Sequence, residues 1–169
     1  MSVAFNMEDN ASSEEQEEID AHYLKSLRMI ERLHRLLLDV IKNEFERLGR
    51  SDINSVQALL LYNIGDSELT AGELRSRGYY LGSNVSYNLK KLVDMGFIHH
   101  ERSDTDRRSV RVRLAEKGQE VCSIINGLFD RQLQSLEKVG GLSKEDLDGL
   151  NNSLLLLERF WADQIRFRL

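Results

Sequence analysis

The hydrophobic period of this chain changes from that of a helix to that of a strand within one stretch, residues 83–114 (SNVSYNLKKLVDMGFIHHERSDTDRRSVRVRL). Val85, Leu89 and Leu92 recur at intervals of three and four, which places them on one side of a helix. Gly96 stops that helix. Beyond it, Val110, Val112 and Leu114 alternate with Arg111 and Arg113, the two-residue period of a strand with one packed and one free face. Neither the helix nor so short a hairpin can cover its own apolar side, so further elements must.

Helices supply that cover. The chain of 169 residues contains no proline, the strongest helix breaker. Residues 1–20 are acidic and aperiodic, which predicts a disordered lead-in. A long amphipathic helix is expected over about residues 19–48, with Tyr23, Leu27, Ile30, Leu33, Leu37, Ile41, Phe45 and Leu48 on one face and Gly49 as its stop. At 1.5 Å per residue it spans roughly 45 Å, more than a small core needs, so something other than this chain is expected to cover part of it. A second helix is read over residues 53–62 with Asp52 as its cap. Thr70 and Glu73 form a capping-box pattern opening a short helix to residue 77, and a turn at 78–82 leads to Ser83 as the cap of a helix ending near residue 95. Strands at 97–103 and 109–114 follow, with an additional short strand at Leu69. A helix over 115–138 turns Val121, Ile124, Leu128 and Leu136 inward. After Gly140-Gly141, Ser143 and Asp146 repeat the capping box for a last helix bearing Leu147, Leu150, Leu154, Leu157, Trp161 and Ile165.

The net charge of −5 conceals an asymmetry. Residues 75–113 hold nine Lys/Arg (Arg75, Arg77, Lys90, Lys91, Arg102, Arg107, Arg108, Arg111, Arg113) against four acids (Asp94, Glu101, Asp104, Asp106), leaving a local surplus of five positive charges. Charge acts over only about 8–10 Å at physiological salt, so a polyanion responds to this patch and not to the average. The single Cys122 excludes an internal disulfide and any multi-cysteine metal site. His22, His34, His99 and His100 have no metal-ligand spacing. No nucleophile–base arrangement, phosphate-cradling glycine loop or paired-carboxylate motif is present, so neither an enzyme nor a cofactor is expected. No apolar run has membrane-spanning length, and the cytoplasm is the expected compartment.

On a wheel, Asn84, Tyr87, Asn88 and Lys91 share one face of the 83–95 helix, while Ser83, Ser86 and Lys90 share another. Asparagine, lysine and hydroxyl side chains match the hydrogen-bonding edges of bases and the phosphates beside them. On the helix alone, a solvated surface and a DNA-reading face fit equally well. The hairpin favours the DNA-reading face, against the alternative of a salt-bridged surface hairpin. Arg107 and Arg108 lie adjacent at its tip, backed by Arg102, Arg111 and Arg113, and arginine gains from the negative potential of a narrow minor groove. Asp104 and Asp106 are placed to pair with these arginines and aim them.

The run DRRSVRVRLAEKG, Asp106 to Gly118, following Met-Gly-Phe-Ile, resembles the wing of the multiple-antibiotic-resistance regulator (MarR) family. The resemblance extends over nearly the whole chain beyond residue 20. It implies a mainly α fold with a small β-hairpin wing: a winged helix-turn-helix domain (51–114) between an N-terminal dimerisation helix (21–50) and C-terminal dimerisation helices (115–169). It also implies a homodimer that regulates transcription on a double-stranded, pseudo-palindromic operator. By position Asn84, Ser86, Tyr87 and Lys91 fall where the family's base- and phosphate-contacting residues lie, and Arg108 or Arg107 where its wing arginine lies; the polar helix and basic hairpin add Ser83, Asn88, Lys90, Arg102 and Arg111 as candidate DNA contacts. Repression relieved by a small aromatic or phenolic effector is implied as well, with Ile30, Leu33, His34, Leu37, Val56 and Leu60 as candidate lining, although these residues also read as core. Three positions depart from the family pattern: the aromatic turn RGYYLGSN, Asn88 where a leucine is common, and Ala115 where a hydroxyl residue usually caps the next helix. The competing reading is a winged helix used as a protein-interaction module.

Overall fold

The computed structural model describes residues 2–70, 73, 82–102 and 110–167, with side chains at 16–70, 73, 87–100, 111–136 and 138–167. The chain divides into two compact units, residues 1–125 and 126–169.

The first unit opens with α1, Ser2–Arg47. The helix therefore begins at the N-terminal end and not near residue 19, and the expected disordered lead-in is helical. No glycine or proline precedes Gly49, and Glu, Gln and Ala are good helix formers, so nothing local stops the helix from running back through the acidic segment. Its C-terminus is a Schellman turn: Gly49 has φ 68°, its N–H donates to Glu46 O (3.0 Å) and the Arg50 N–H donates to Phe45 O (2.8 Å).

Helix α2, Ser55–Ile64, begins two residues later than expected because Asn54 caps it, not Asp52. The Asn54 side chain accepts the Gln57 N–H at 2.9 Å, and the Gln57 side chain accepts the Asn54 N–H at 3.3 Å. The anticipated short strand is β1, Leu69–Thr70. At its end the Thr70–Glu73 box is formed: Thr70 N–H donates to Glu73 Oε2 at 2.6 Å and Glu73 N–H to Thr70 Oγ1 at 3.1 Å. Of the short helix expected over 71–77 and the turn expected over 78–82, only Glu73, which is helical, and Gly82, which belongs to the next helix, are described.

Helix α3, Gly82–Asp94, starts before Ser83, which therefore occupies its first turn and is not its cap. It ends as α1 does. Gly96 (φ 78°) donates to Val93 O at 3.0 Å, and Phe97 N–H donates to Leu92 O at 2.9 Å. Strand β2, Ile98–Arg102, then pairs antiparallel with β3, Val110–Leu114, in the register Ile98↔Leu114, His99↔Arg113, His100↔Val112, Glu101↔Arg111 and Arg102↔Val110. On the other side β3 meets β1 through Leu69↔Val112 and Thr70↔Arg111, so β3 is the central strand of three. The core gathers Ile41 and Phe45 of α1, Ala58, Leu60, Leu61 and Ile64 of α2, Leu92 of α3, Phe97, and Val112 and Leu114 of β3, all buried. Among these elements α1 packs on α2, α2 reaches β3, and α3 packs on β2.

Helix α4, Glu116–Ser135, stops short of the expected residue 138, and one π-helical turn, Leu136–Gly140, follows. The Ser135 hydroxyl donates back to Arg131 O (3.2 Å) and Gln132 O (3.1 Å), a competition with the backbone ladder that loosens a helix end. In the second unit, α5 is Lys144–Phe167. Its predicted box is present, with Ser143 N–H donating to Asp146 Oδ2 at 2.9 Å and Asp146 N–H to Ser143 Oγ at 3.1 Å. None of the described residues of α5 is buried. Among the described residues no helix is long and apolar enough to cross a membrane.

One close approach fixes how α4 leaves the sheet. A Cβ on Gly118 would lie 2.3 Å from the Phe97 carbonyl oxygen, a backbone atom already accepting the Ala115 N–H at 3.0 Å. Ordinarily alanine for glycine near a helix start stabilises by about 0.4–1 kcal/mol. Here Gly118→Ala is expected to destabilise by about 1–3 kcal/mol, the range for overpacking, read as a lower urea midpoint with unchanged slope.

Candidate nucleic-acid interface

Helix α3 is fastened from below and open above. Leu89 and Leu92 are buried, while Lys90 and Lys91 are exposed and Tyr87 is 64% exposed. Tyr87 lies one turn before Lys90 and Lys91, so an aromatic ring and two ammonium groups form one continuous outward patch. Nothing is described of the side chains of Ser83, Asn84 and Ser86, although their backbone lies in the first two turns of the same helix.

Asn88 stands apart from that patch. It is half-buried, and its Oδ1 faces Gln57 Nε2 at 3.5 Å. Gln57 is itself buried, and a buried amide requires partners. The residue that replaces the family's usual leucine thus still faces inward, toward α2.

In the sheet, Val112 and Leu114 are buried while Arg111 and Arg113 are exposed, as alternation requires. Arg111 pairs with Glu68 at 3.5 Å, and its strand neighbours are Thr70 and Glu101. Part of its charge is therefore engaged within the protein. Exposed His99 lies opposite Arg113. Arg107 and Arg108 lie outside the described residues, and the side chain of Arg102 is likewise not described.

A group that sequence reasoning missed holds this surface from behind. Lys117 Nζ lies 3.5 Å from Met95 O at the end of α3, 4.1 Å from the Phe97 ring centroid and 3.4 Å from Asp52 Oδ2. Asp52 accepts two hydrogen bonds from Arg50, at 2.8 and 3.1 Å, and Arg50 also lies 3.8 Å from Glu120 Oε2 on α4. The Arg50 hydrogen bond pulls the Asp52 carboxyl down to about 2 against the opposing effect of burial, and Lys117 adds to the lowering. The only sequence signal was the Lys117-Gly118 pair after the strand leucine. By contrast, the Cys122 thiol is pushed up to about 11, first by burial and then by the charge of Asp66, which makes it a poor nucleophile at neutral pH.

The six candidate ligand-lining residues divide by burial. Leu60 is in the core, Ile30, Leu37 and Val56 are half-buried, and Leu33 and His34 are exposed on α1.

A helix with an exposed aromatic–cationic face, seated against a three-stranded antiparallel sheet between long helices, defines a winged helix-turn-helix DNA-binding regulator. Residues 51–109 match the model of the MarR family. The exopolysaccharide II synthesis transcriptional activator ExpG of Rhizobium meliloti (strain 1021) is 36% identical over 145 residues, covering 86% of this chain and 74% of that protein. Among solved structures, the transcriptional regulator SlyA superposes with a TM-score of 0.71 at 21% identity, covering 85% of this chain and 98% of that one. A mutant of MarR from E. coli complexed with operator DNA gives 0.61 at 20% identity, covering 77% and 91%. The chain belongs to the MarR family, whose members are regulators and not enzymes.

Because the Asp52 carboxyl titrates below its ordinary value, its contribution to stability is present above the unfolded pKa of about 3.9 and is lost as pH falls through about 2. Asp52→Asn should therefore lower stability at pH 7 by about 1 kcal/mol, the scale of a partly exposed pair. The gap between variant and wild type should narrow below about pH 4 and close near pH 2 in denaturant titrations.

Proposed function

We propose that the chain regulates transcription as a homodimer bound to a pseudo-palindromic operator. The observation that carries this reading is the outward Tyr87–Lys90–Lys91 patch on a helix whose opposite side, Leu89 and Leu92, is buried. In the proposed complex α3 lies in the major groove, with Ser83, Asn84, Ser86 and Tyr87 toward base edges and Lys90 and Lys91 toward phosphates. Arg107 and Arg108 enter the adjacent minor groove, with Arg102 and Arg111 flanking them. Asn88 sets the tilt of α3 through Gln57 in place of direct base reading. The operator complex of the E. coli relative supports this arrangement by analogy of fold.

Dimerisation accounts for apolar surface that one chain leaves bare. Leu156 and Ile165 of α5 are 66% and 78% exposed, and Leu150, Leu154, Leu155 and Phe160 are exposed beside them. On α1, Leu24, Leu33 and Leu36 are exposed as well. Exposed apolar faces of this kind, on each of the two helices, are best covered by a second copy in a regulator with a two-fold operator. The N-terminal helix (21–50) and the helices of residues 115–169 are thus the dimerisation elements, and residues 51–114 the DNA-binding domain.

The resemblance to the family supports repression relieved by a small aromatic or phenolic effector, held near Ile30, Leu33, His34, Leu37, Val56 and Leu60. Such an effector acts by preferring the arrangement in which the two α3 helices are wrongly spaced. A second reading, activation, is favoured by the activator role of ExpG. Transcription in vitro from a bound promoter, with and without the protein, separates the two signs.

In a gel-shift titration, Arg108→Ala should weaken operator binding about tenfold or more and reduce the slope of log K against log salt by about 0.9 for each phosphate that it ceases to neutralise. Tyr87→Ala should instead change which sequence is preferred. If the wild type forms no salt-dependent complex with its own promoter region, the protein-interaction reading replaces this one.

Leu156→Glu should convert the dimer to a monomer in sedimentation at micromolar concentration, since a carboxylate buried at the interface without a partner is costly. Its operator affinity should fall at least roughly 100-fold, because each half-site is then bound alone.

A further inference from the structure

We infer that Lys117 is a positioning residue for DNA reading, tying the C-terminal end of α3 to the segment that follows α1 and so fixing the angle at which each copy presents its reading helix. This rests on the proposed function above.

The geometry is specific to that task. Lys117 sits in the first turn of α4, yet its ammonium group touches three groups of two other segments: Met95 O at 3.5 Å, the Phe97 ring centroid at 4.1 Å and Asp52 Oδ2 at 3.4 Å. Met95 lies just past the end of α3, where helix carbonyls lack intrahelical partners and a cation is favoured. Phe97 is the first residue past the glycine turn and is fully buried, so a cation over its ring marks a fixed point. Asp52 lies in the loop between α1 and α2 and is itself clamped by two hydrogen bonds from Arg50. Arg50 closes the circuit at 3.8 Å from Glu120, one turn further along α4. The end of the reading helix, the loop after the long helix and the start of α4 are thus joined through one side chain.

Such a joint matters little for stability but much for aim. The Lys117 and Asp52 side chains are 41% and 37% exposed, and partly exposed pairs add little to folding. A dimer reading two half-sites about one helical turn apart, however, tolerates little error in the separation of its two reading helices. A loose joint at the base of α3 is magnified at its far end. The Lys117 charge is already engaged by Asp52, so its effect on DNA is indirect. That yields a readout distinct from the phosphate-contacting cations.

The test uses the full-length dimer. Lys117→Met keeps most of the stem over Phe97 and removes the charge, Lys117→Arg keeps the charge, and Asp52→Asn releases the tie from the other side. Operator affinity is measured across a salt series. The separation of spin labels at Asp94→Cys, at the end of α3, is measured without DNA in a Cys122→Ser background. Lys117→Met should bind about tenfold more weakly with an unchanged salt slope and a broadened inter-label distance. Asp52→Asn should reproduce the broadening, and Lys117→Arg should restore both sharp distance and affinity. A slope reduced by about 0.9 in Lys117→Met would identify a direct bond to phosphate and overturn the inference. Distances as sharp as wild type in both Lys117→Met and Asp52→Asn would also overturn it. If the wild type binds no promoter DNA, the proposed function fails, while the distance distributions still decide whether Lys117 positions α3.

Discussion

The placement of α3 depends on the burial of Phe97. Its ring is fully enclosed, its N–H closes the turn that ends α3 by donating to Leu92 O, and its carbonyl accepts the Ala115 N–H where β3 passes into α4. One residue therefore anchors the end of α3 and the passage of the chain from the sheet into α4. The constraints around it follow. Gly96 must take a positive φ for the chain to reach Phe97 from α3, and Gly118 must lack a Cβ for α4 to pass the Phe97 carbonyl. The Met-Gly-Phe-Ile and Lys-Gly runs on either side of the wing are thus two halves of one joint.

Where short-range rules act alone, structure could be read from sequence. Leu89 and Leu92 at helical spacing, the alternation of Val112 and Leu114 with Arg111 and Arg113, and the Thr70–Glu73 and Ser143–Asp146 boxes each depend on residues within one turn or one strand. Each appears as expected. The readings that changed involve competition over distance. Asp52 is as good a cap as Asn54 by composition, but Arg50 and Lys117 hold its carboxylate, leaving the cap to its neighbour. Asn88 fits a polar face on a wheel, and no local rule shows that the buried amide of Gln57, thirty-one positions away, also reaches its Oδ1 at 3.5 Å. The acidic lead-in carries no apolar period, and the signal for its helix was instead the helix propensity of its Glu, Gln and Ala residues.

The distribution of charge follows from the same division of labour. The reading surface must be cationic, but an ion pair behind it costs nothing in DNA affinity provided its cation was never presented to phosphate. Arg50 and Lys117 each have a carboxylate within 4 Å and Arg111 is partly engaged by Glu68 at 3.5 Å, whereas Lys90 and Lys91 project from α3 as exposed cations. A count of basic residues therefore overstates the cationic surface offered to a polyanion, since internally paired cations contribute little to counterion release. It also explains how an acidic chain can serve such a partner. With a Debye length of about 8 Å, charge acts locally, so in the proposed complex the exposed cations of α3 meet phosphate whatever the net charge of the whole chain.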